Sequence, residues 1–339
     1  VSTTTAPPPA APVRRRTRWA LRAVVANLVA QIVIVVTGGL VRLTGSGLGC
    51  STWPECEPGE FAPAFHAEMS IHSFVEFGNR TLTGVLVVVA AATLLLAGLD
   101  RTRSVRYRVL AFAPLVGVVV QAVVGGITVL VELHPAVVGS HFLISMVLVA
   151  VSAWLLVRTR EGDGEPVPVV DRGTRAMLAP LGALTAVVLV LGVVVTGAGP
   201  HSGDDEVGYR FAVDPVAVSR AHALAVWTFL ALLVVVLVRV VLAARADTPG
   251  AARAARAGGW LLVLTLAQGG IGYVQYFTGL PIALVNLHML GAAALTAAVA
   301  LFVGTLRVRG PLAADLHAAD GPAADRPGAG TTPVRPATA

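Results

Sequence analysis

Seven stretches of this chain carry no Asp, Glu, Lys or Arg: Ala23–Val41, Thr81–Leu99, Val109–Val131, Leu133–Val157, Ala176–Gly203, Ala221–Val238 and Ala257–Leu306. A helix crossing a bilayer needs about 20 apolar residues, and each stretch is near that length or beyond it. The last runs 50 residues, too long for one crossing, and breaks at Gly279-Leu280-Pro281, where a chain can turn. Eight membrane helices are therefore expected. Composition agrees: 55% of the 339 residues are hydrophobic and 13% charged, against roughly a quarter charged in soluble domains. Apolar surface on that scale excludes a soluble enzyme, a disordered regulator and a nucleic-acid binder with a solvent-facing basic patch. The expected class is an all-α integral membrane protein with eight transmembrane helices in two pseudo-symmetric four-helix bundles.

Orientation follows from the basic residues. All 25 are Arg, a bias that fits a GC-rich bacterial genome and says nothing of mechanism. With the N-terminus inside, 21 fall in cytoplasmic segments, and only Arg42, Arg80, Arg210 and Arg220 lie outside or in the outer half. Both termini are expected in the cytoplasm of a bacterium, with the protein in its plasma membrane. Residues 1–18 read as a disordered lead and 307–339 as a disordered tail, with a cytoplasmic linker at 159–175 between bundles at 19–158 and 176–306. A signal peptide is the competing reading of the N-terminus. Against it, the apolar run is too long and no small-x-small site precedes Arg42.

The expected outer loops alternate long and short, which suggests two halves in one orientation. Gln121 to His141 spans 20 residues, as does Gln268 to His288. At that offset of 147, identities fall at Gln121/Gln268, Gly125/Gly272, Leu133/Leu280, Ala136/Ala283, Val138/Val285 and His141/His288. Val36-Thr37-Gly38 and Val195-Thr196-Gly197 also agree. An even number of spans per half makes the repeats parallel, about an axis along the membrane normal.

Four of the eight histidines, His72, His141, His222 and His288, sit within the first two turns of even-numbered spans, at what reads as a common depth. One such residue is commonly an interhelical hydrogen bond. Four at one depth, two per half, point instead to axial heme ligation by pairs of neutral imidazoles inside four-helix bundles. Zinc would want a tighter cluster, and a proton relay more buried acid. The second span adds Glu76, Asn79 and Arg80 to the face of His72. Glu76 and Arg80 are an i,i+4 pair, readable as an internal salt bridge or as a carboxylate held near a heme edge. Nothing comparable follows His222, so the halves are not equivalent. Cys50 and Cys56 flank five residues, a gap that fits neither a zinc knuckle nor a thioredoxin-like pair. On the oxidising side of a membrane they suggest a small-loop disulfide, as a staple or as a redox-active pair.

These residues resemble a known family. Gly39-Leu40-Val41-Arg42-Leu43-Thr44-Gly45-Ser46-Gly47-Leu48-Gly49-Cys50, continuing through Trp53-Pro54 to Cys56, is similar to the first outer loop of heme A synthase. Val195 to Asp204 resembles its third outer loop, and Gln275 to Pro281 with Leu287-His288-Met289 the turn into its last helix. The resemblance implies oxidation of a ring methyl of heme O to a formyl group, giving heme A for cytochrome oxidase. It implies a heme b cofactor on His222 and His288 in the C-terminal bundle. The heme O substrate falls in the N-terminal bundle with His141 as one ligand, and a loop disulfide at Cys50–Cys56. Heme O synthase (the farnesyltransferase) and an electron acceptor in the membrane are the implied partners, with no nucleic acid.

One position departs from the family pattern. Many members carry Glu-x-x-His-Arg on helix 2, whereas here Asn79 stands where His is expected in Glu76-Phe77-Gly78-Asn79-Arg80. Either His72 takes over ligation, with the substrate heme higher or tilted, or His141 binds alone and Asn79 donates a hydrogen bond. His72 is the preferred expectation. Glu76 is the expected catalytic residue, stabilising charge or removing a proton as the methyl is oxidised stepwise with oxygen from water. The rival classes are a bis-histidine cytochrome b and a heme transporter.

Overall fold

The computed structural model describes residues 11–63, 71–202 and 208–310. Its helices are α1 (Ala11–Leu43), α2 (Ile71–Thr93), α3 (Val105–Leu130), α4 (Pro135–Arg160), the short α5 (Arg172–Ala176), α6 (Leu178–Ala198), α7 (Pro215–Arg245), α8 (Ala251–Phe277) and α9 (Ile282–Thr305). Among the described residues, eight helical segments, with α5 and α6 counting as one, are long and apolar enough to cross a membrane. A short antiparallel ladder of two two-residue strands, β1 (Val167–Pro168) and β2 (Arg307–Val308), completes the set.

Each helix owes its apolar surface to the charge-free runs, and its ends to local chemistry. Ser104, Asp171 and Asp214 accept backbone N–H groups at the starts of α3, α5 and α7, the usual N-cap arrangement. Pro135 and Pro215 open α4 and α7, where the missing N–H costs nothing. α2 runs into a π-helical turn, Leu94–Gly98. Arg16 donates to the Leu95 and Leu96 carbonyls there, and Arg108 to that of Gly98.

Packing closes two rings. α1 touches α2 and α4, and α3 bridges α2 and α4; α6 touches α7 and α9, and α8 bridges α7 and α9. The rings meet along α4 and α9, flanked by α1 against α9 and α4 against α6. Exchanging α1 with α6 and α4 with α9 maps this seam onto itself, so a pseudo-two-fold axis passes between α4 and α9. α9 serves both sides. Ala293 and Ala297 join the core shared with α1, α3 and α4, while Leu295, Val299 and Phe302 join that of α7 and α8. Small residues on the seam face let the helices approach closely.

The repeat is most evident in the turns. Glu132 and Leu133 have φ of 51° and 57°, and their equivalents Gly279 and Leu280 have 76° and 60°. Leu133 N–H donates to Thr128 and Leu280 N–H to Gln275, both at 2.8 Å. The same offset of 147 residues relates every one of these partners.

Two boundary expectations need correction. Residues 11–18 belong to α1 rather than to a disordered lead, because the helix continues past Trp19 toward its basic end. Arg307 and Val308 are not part of a disordered tail: they pair with β1, and the Arg307 guanidinium lies over the Trp154 ring, 4.2 Å from its centroid. The rest of both expected termini, 1–10 and 311–339, lies outside the described residues.

The end of the bundle carrying this ladder, called the linker end, is knotted by ions. Asp163 receives Arg103 at 2.7 Å and Arg158 at 2.8 Å, and Glu161 receives Arg158 at 2.9 Å and Arg307 at 3.3 Å. Burial opposes ionisation of Asp163. Hydrogen bonds from Arg103 and from the Ser104 N–H and hydroxyl outweigh it and hold its carboxyl down at about 2.

Candidate functional site

The opposite, loop end gathers the predicted chemistry. Cys50 and Cys56 form a disulfide, and both are buried. The loop beyond α1 lies so close on α2 that a Cβ at Gly49 would strike the His72 backbone. Ser73 donates to the Gly49 carbonyl at 2.5 Å. This approach brings the Cys50 N–H within 2.7 Å of Glu76 Oε2. Arg80 donates to Glu76 Oε1 through Nε at 3.1 Å and through Nη2, and its Nη1 reaches the Thr52 and Glu55 carbonyls at 3.0 and 3.1 Å.

Glu76 is thus a buried carboxylate with Oε1 filled by two donors and Oε2 by one. Its three donors come from two elements, Arg80 of α2 and the Cys50 backbone of the loop beyond α1, so the carboxylate joins loop to helix. Of the two readings of the i,i+4 pair, the salt bridge is the one the structure shows.

His72 is tied to the same loop. Its Nδ1 lies 2.7 Å from Ser46 Oγ, which bonds Thr44 Oγ1 at 2.8 Å. One ring nitrogen is therefore fixed and the other is left to face a ligand, the arrangement typical of metal-bound imidazoles. Asn79 stands deeper, opposite Gly38 of α1, with its Oδ1 buried and unpartnered.

The other three histidines share a different setting. A Cβ on Gly125 would sit 3.2 Å from His141 Cε1, one on Gly272 3.2 Å from His288 Cε1, and one on Gly192 3.4 Å from His222 Cε1. Each imidazole is packed edge-on against a glycine of a neighbouring helix. Gln121 donates to the His141 carbonyl at 2.9 Å and Gln268 to that of His288 at 2.7 Å, so the amide at each repeat position braces the helix turn bearing the histidine. The Nδ1 atoms of His141, His222 and His288 are buried without a partner. His222 and His288, two imidazoles with buried, unpartnered nitrogens, each backed by a helix glycine, have the chemistry of heme-iron ligands. Among the described residues, no three His, Cys, Asp or Glu side chains cluster as another metal ion would require.

The structure therefore brings Cys50, Cys56, Glu76, Arg80 and, through Ser46, His72 into one assembly. It sets His72 apart from the other three: they lie opposite helix glycines, whereas His72 lies opposite a loop residue beyond the end of α1. No hydrogen bond or ring contact joins His72 or Asn79 to His141 among the described residues. Reading the sequence missed Ser46 and the Cys50 N–H. The first had only the signal of a hydroxyl in a Gly-rich loop, and the second, being backbone, had none. In the Val195–Asp204 run, His201 bonds the Leu280 carbonyl at 2.9 Å and Ser202 that of Tyr209 at 2.8 Å; Gly203 and Asp204 lie outside the described residues.

Comparison with known proteins bears on this geometry. The chain is 28% identical over 170 residues to a protein named heme A synthase from an Exiguobacterium species, covering 50% of this chain and 55% of that one. It is 30% identical over 191 residues to the heme A synthase of Symbiobacterium thermophilum, covering 53% and 60%. With that of Bacillus mycoides it shares 32% over 117 residues, covering 34% and 36%. The chain thus spans about half the length of the curated relatives it matches. The profile of the cytochrome oxidase assembly protein family matches nearly all of the helical region, residues 19–300. A multi-pass membrane protein of eight helices with that match over most of its length belongs to the cytochrome oxidase assembly protein family COX15-CtaA.

Proposed function

We propose that this protein is a heme A synthase, oxidising the ring methyl of heme O to a formyl group for cytochrome oxidase. The observation that carries the reading is Glu76, a buried carboxylate on the helix of His72 that has no counterpart on α7. An electron-transfer cytochrome has no use for such a group at one site alone, and α7 carries no acidic side chain near His222. The named relatives support the reading.

The N-terminal bundle takes heme O as substrate, with His141 on one side and His72 on the other. Ser46 at His72 Nδ1 supports ligation through the opposite nitrogen, and the shallower place of His72 tilts the substrate toward the loop, over Glu76. Asn79 lies deeper, with an amide free to hydrogen-bond. Conversion of the methyl to the aldehyde takes one water and releases four electrons and four protons, through an alcohol and a gem-diol that loses water. Glu76 accepts protons or steadies positive charge at the methyl carbon, and Arg80 with the Cys50 N–H holds its carboxylate in place. Cys50–Cys56 fixes the loop that supplies this N–H.

In the C-terminal bundle, His222 and His288 hold a heme b. Bound there, it supplies one-electron chemistry toward an acceptor in the membrane. Gly192 and Gly272 keep the two rings in position, and Gln268 braces His288. The arginine distribution supports a cytoplasmic linker end, with both heme sites near the outer face. Heme O synthase is the partner that would deliver substrate.

The test is to incubate the purified full chain with heme O and an electron acceptor, then extract the pigments. Heme A is the expected product, and Glu76→Gln lowers its formation by about 10²-fold or more while heme b stays bound. Heme O recovered unchanged from a protein that retains heme b would make it a cytochrome or carrier instead.

A further inference from the structure

We propose that Arg42 anchors the carboxylate of a heme propionate at the seam between the two bundles. This rests on the reading that His222 and His288 hold a heme. Arg42 lies in the last turn of α1, yet its guanidinium turns sideways onto α9, where Nη2 meets Met289 Sδ at 3.7 Å. A thioether is a weak acceptor. The Arg42 Nε is buried and has no partner at all, and no carboxylate pairs with this side chain among the described residues.

The contrast with Arg80 is instructive. Arg80 is satisfied by Glu76 and two carbonyls, and Arg103 and Arg158 at the linker end are each paired with acids. An unpaired buried cation is costly, so Arg42 calls for an anion from outside the chain. A guanidinium presents a planar fork of donors that matches a carboxylate with two parallel hydrogen bonds.

The surroundings say which anion. Met289 directly follows His288, about 100° around α9, so the guanidinium lies beside the helix turn that bears His288. One turn earlier, α1 and α9 approach so closely that a Cβ on Gly39 would lie 2.9 Å from both Asn286 Oδ1 and Met289 Sδ. Asn286 Oδ1 is itself buried without a donor, and it lines a groove of about 530 Å³ otherwise walled by Val36, Leu40, Ile282, Leu287 and Leu290 among other apolar residues. Arg42 and Asn286 are thus a polar pair in an apolar seam. A heme brings carboxylates to this place as part of its own structure. A lipid phosphate entering by the groove would present similar oxygens, but it need not come near His288.

Arg42→Gln and Arg42→Lys are compared with the unaltered full chain in detergent, purified without added heme O. The readouts are heme content, the midpoint potential of the bound heme, and the affinity for heme O. Loss of the cation leaves the propionate charge uncompensated and favours ferric iron, so Arg42→Gln retains heme but titrates at a lower midpoint, and Arg42→Lys recovers most of the shift. If the midpoint holds while heme O binding weakens tenfold or more, the anchored propionate belongs to the substrate, and the anchoring proposal still stands. Unchanged midpoint and unchanged heme O affinity in Arg42→Gln would overturn it, as would a change confined to co-purified anionic phospholipid. Should the unaltered protein itself bind no heme, the functional reading fails, and that outcome is distinct from failure at Arg42.

Discussion

At the scale of single residues, what matters is which buried polar atoms are held and which stay unused. Glu76 is held by Arg80 and the Cys50 N–H; His72 is held at one nitrogen and keeps the other. The i,i+4 spacing of Glu76 and Arg80 was legible in the sequence, because helix geometry turns spacing into direction. The Cys50 N–H was not, since a backbone donor leaves no mark in the side-chain code. Nor was the isolation of His72, because distance along a helix does not tell where the neighbouring helix ends. The choice between His72 and Asn79 is open to test with two alanine variants. His72→Ala is expected to weaken heme O binding by about tenfold or more and to slow turnover with it, while Asn79→Ala retains most activity. Full activity in His72→Ala with loss in Asn79→Ala would move the ligand role away from His72.

At the scale of elements, the turns repay comparison. Gly279-Leu280-Pro281 announced a break, since Gly tolerates positive φ and Pro opens a helix. Its equivalent at Glu132-Leu133 has the same backbone without a glycine, and only the repeat offset marks it in the sequence. The linker-end knot could not be read at all: it joins Arg103, Arg158, Glu161, Asp163 and Arg307 from three distant segments. Its pH dependence follows from Asp163. That carboxyl is depressed to about 2 from an ordinary 3.8, so its contribution to stability is full above pH 4 and is lost as pH falls toward 2. Asp163→Asn is therefore expected to lower thermal stability in detergent at pH 7, by about 1–2 kcal/mol for lost charge-assisted hydrogen bonds. The variant should also flatten the decline between pH 4 and pH 2. An unchanged melting curve at both pH values would place no stability in the knot.

At the scale of the whole molecule, the charge-free runs sufficed for the number of helices, because a bilayer admits few other ways to hide such surface. The matched Gln, Gly and His positions sufficed for the repeat, and the structure gives them one shared job: an amide bracing a helix turn and a glycine backing an imidazole. What the sequence could not show is the seam, where α9 divides its faces between two cores and Arg42 crosses from one half toward the other. Symmetry makes the halves alike in frame; Glu76, the disulfide loop and Asn79 make them unlike in chemistry. The central claim is that one half acts on a heme while the other holds one. Pigment analysis of His288→Ala and His141→Ala, each purified after exposure to heme O, tests it most directly. Two unequal sites predict that His288→Ala loses heme b and still takes up heme O, whereas His141→Ala keeps heme b and loses heme O uptake. Equal loss of both pigments in either variant, with the protein still folded, would contradict it.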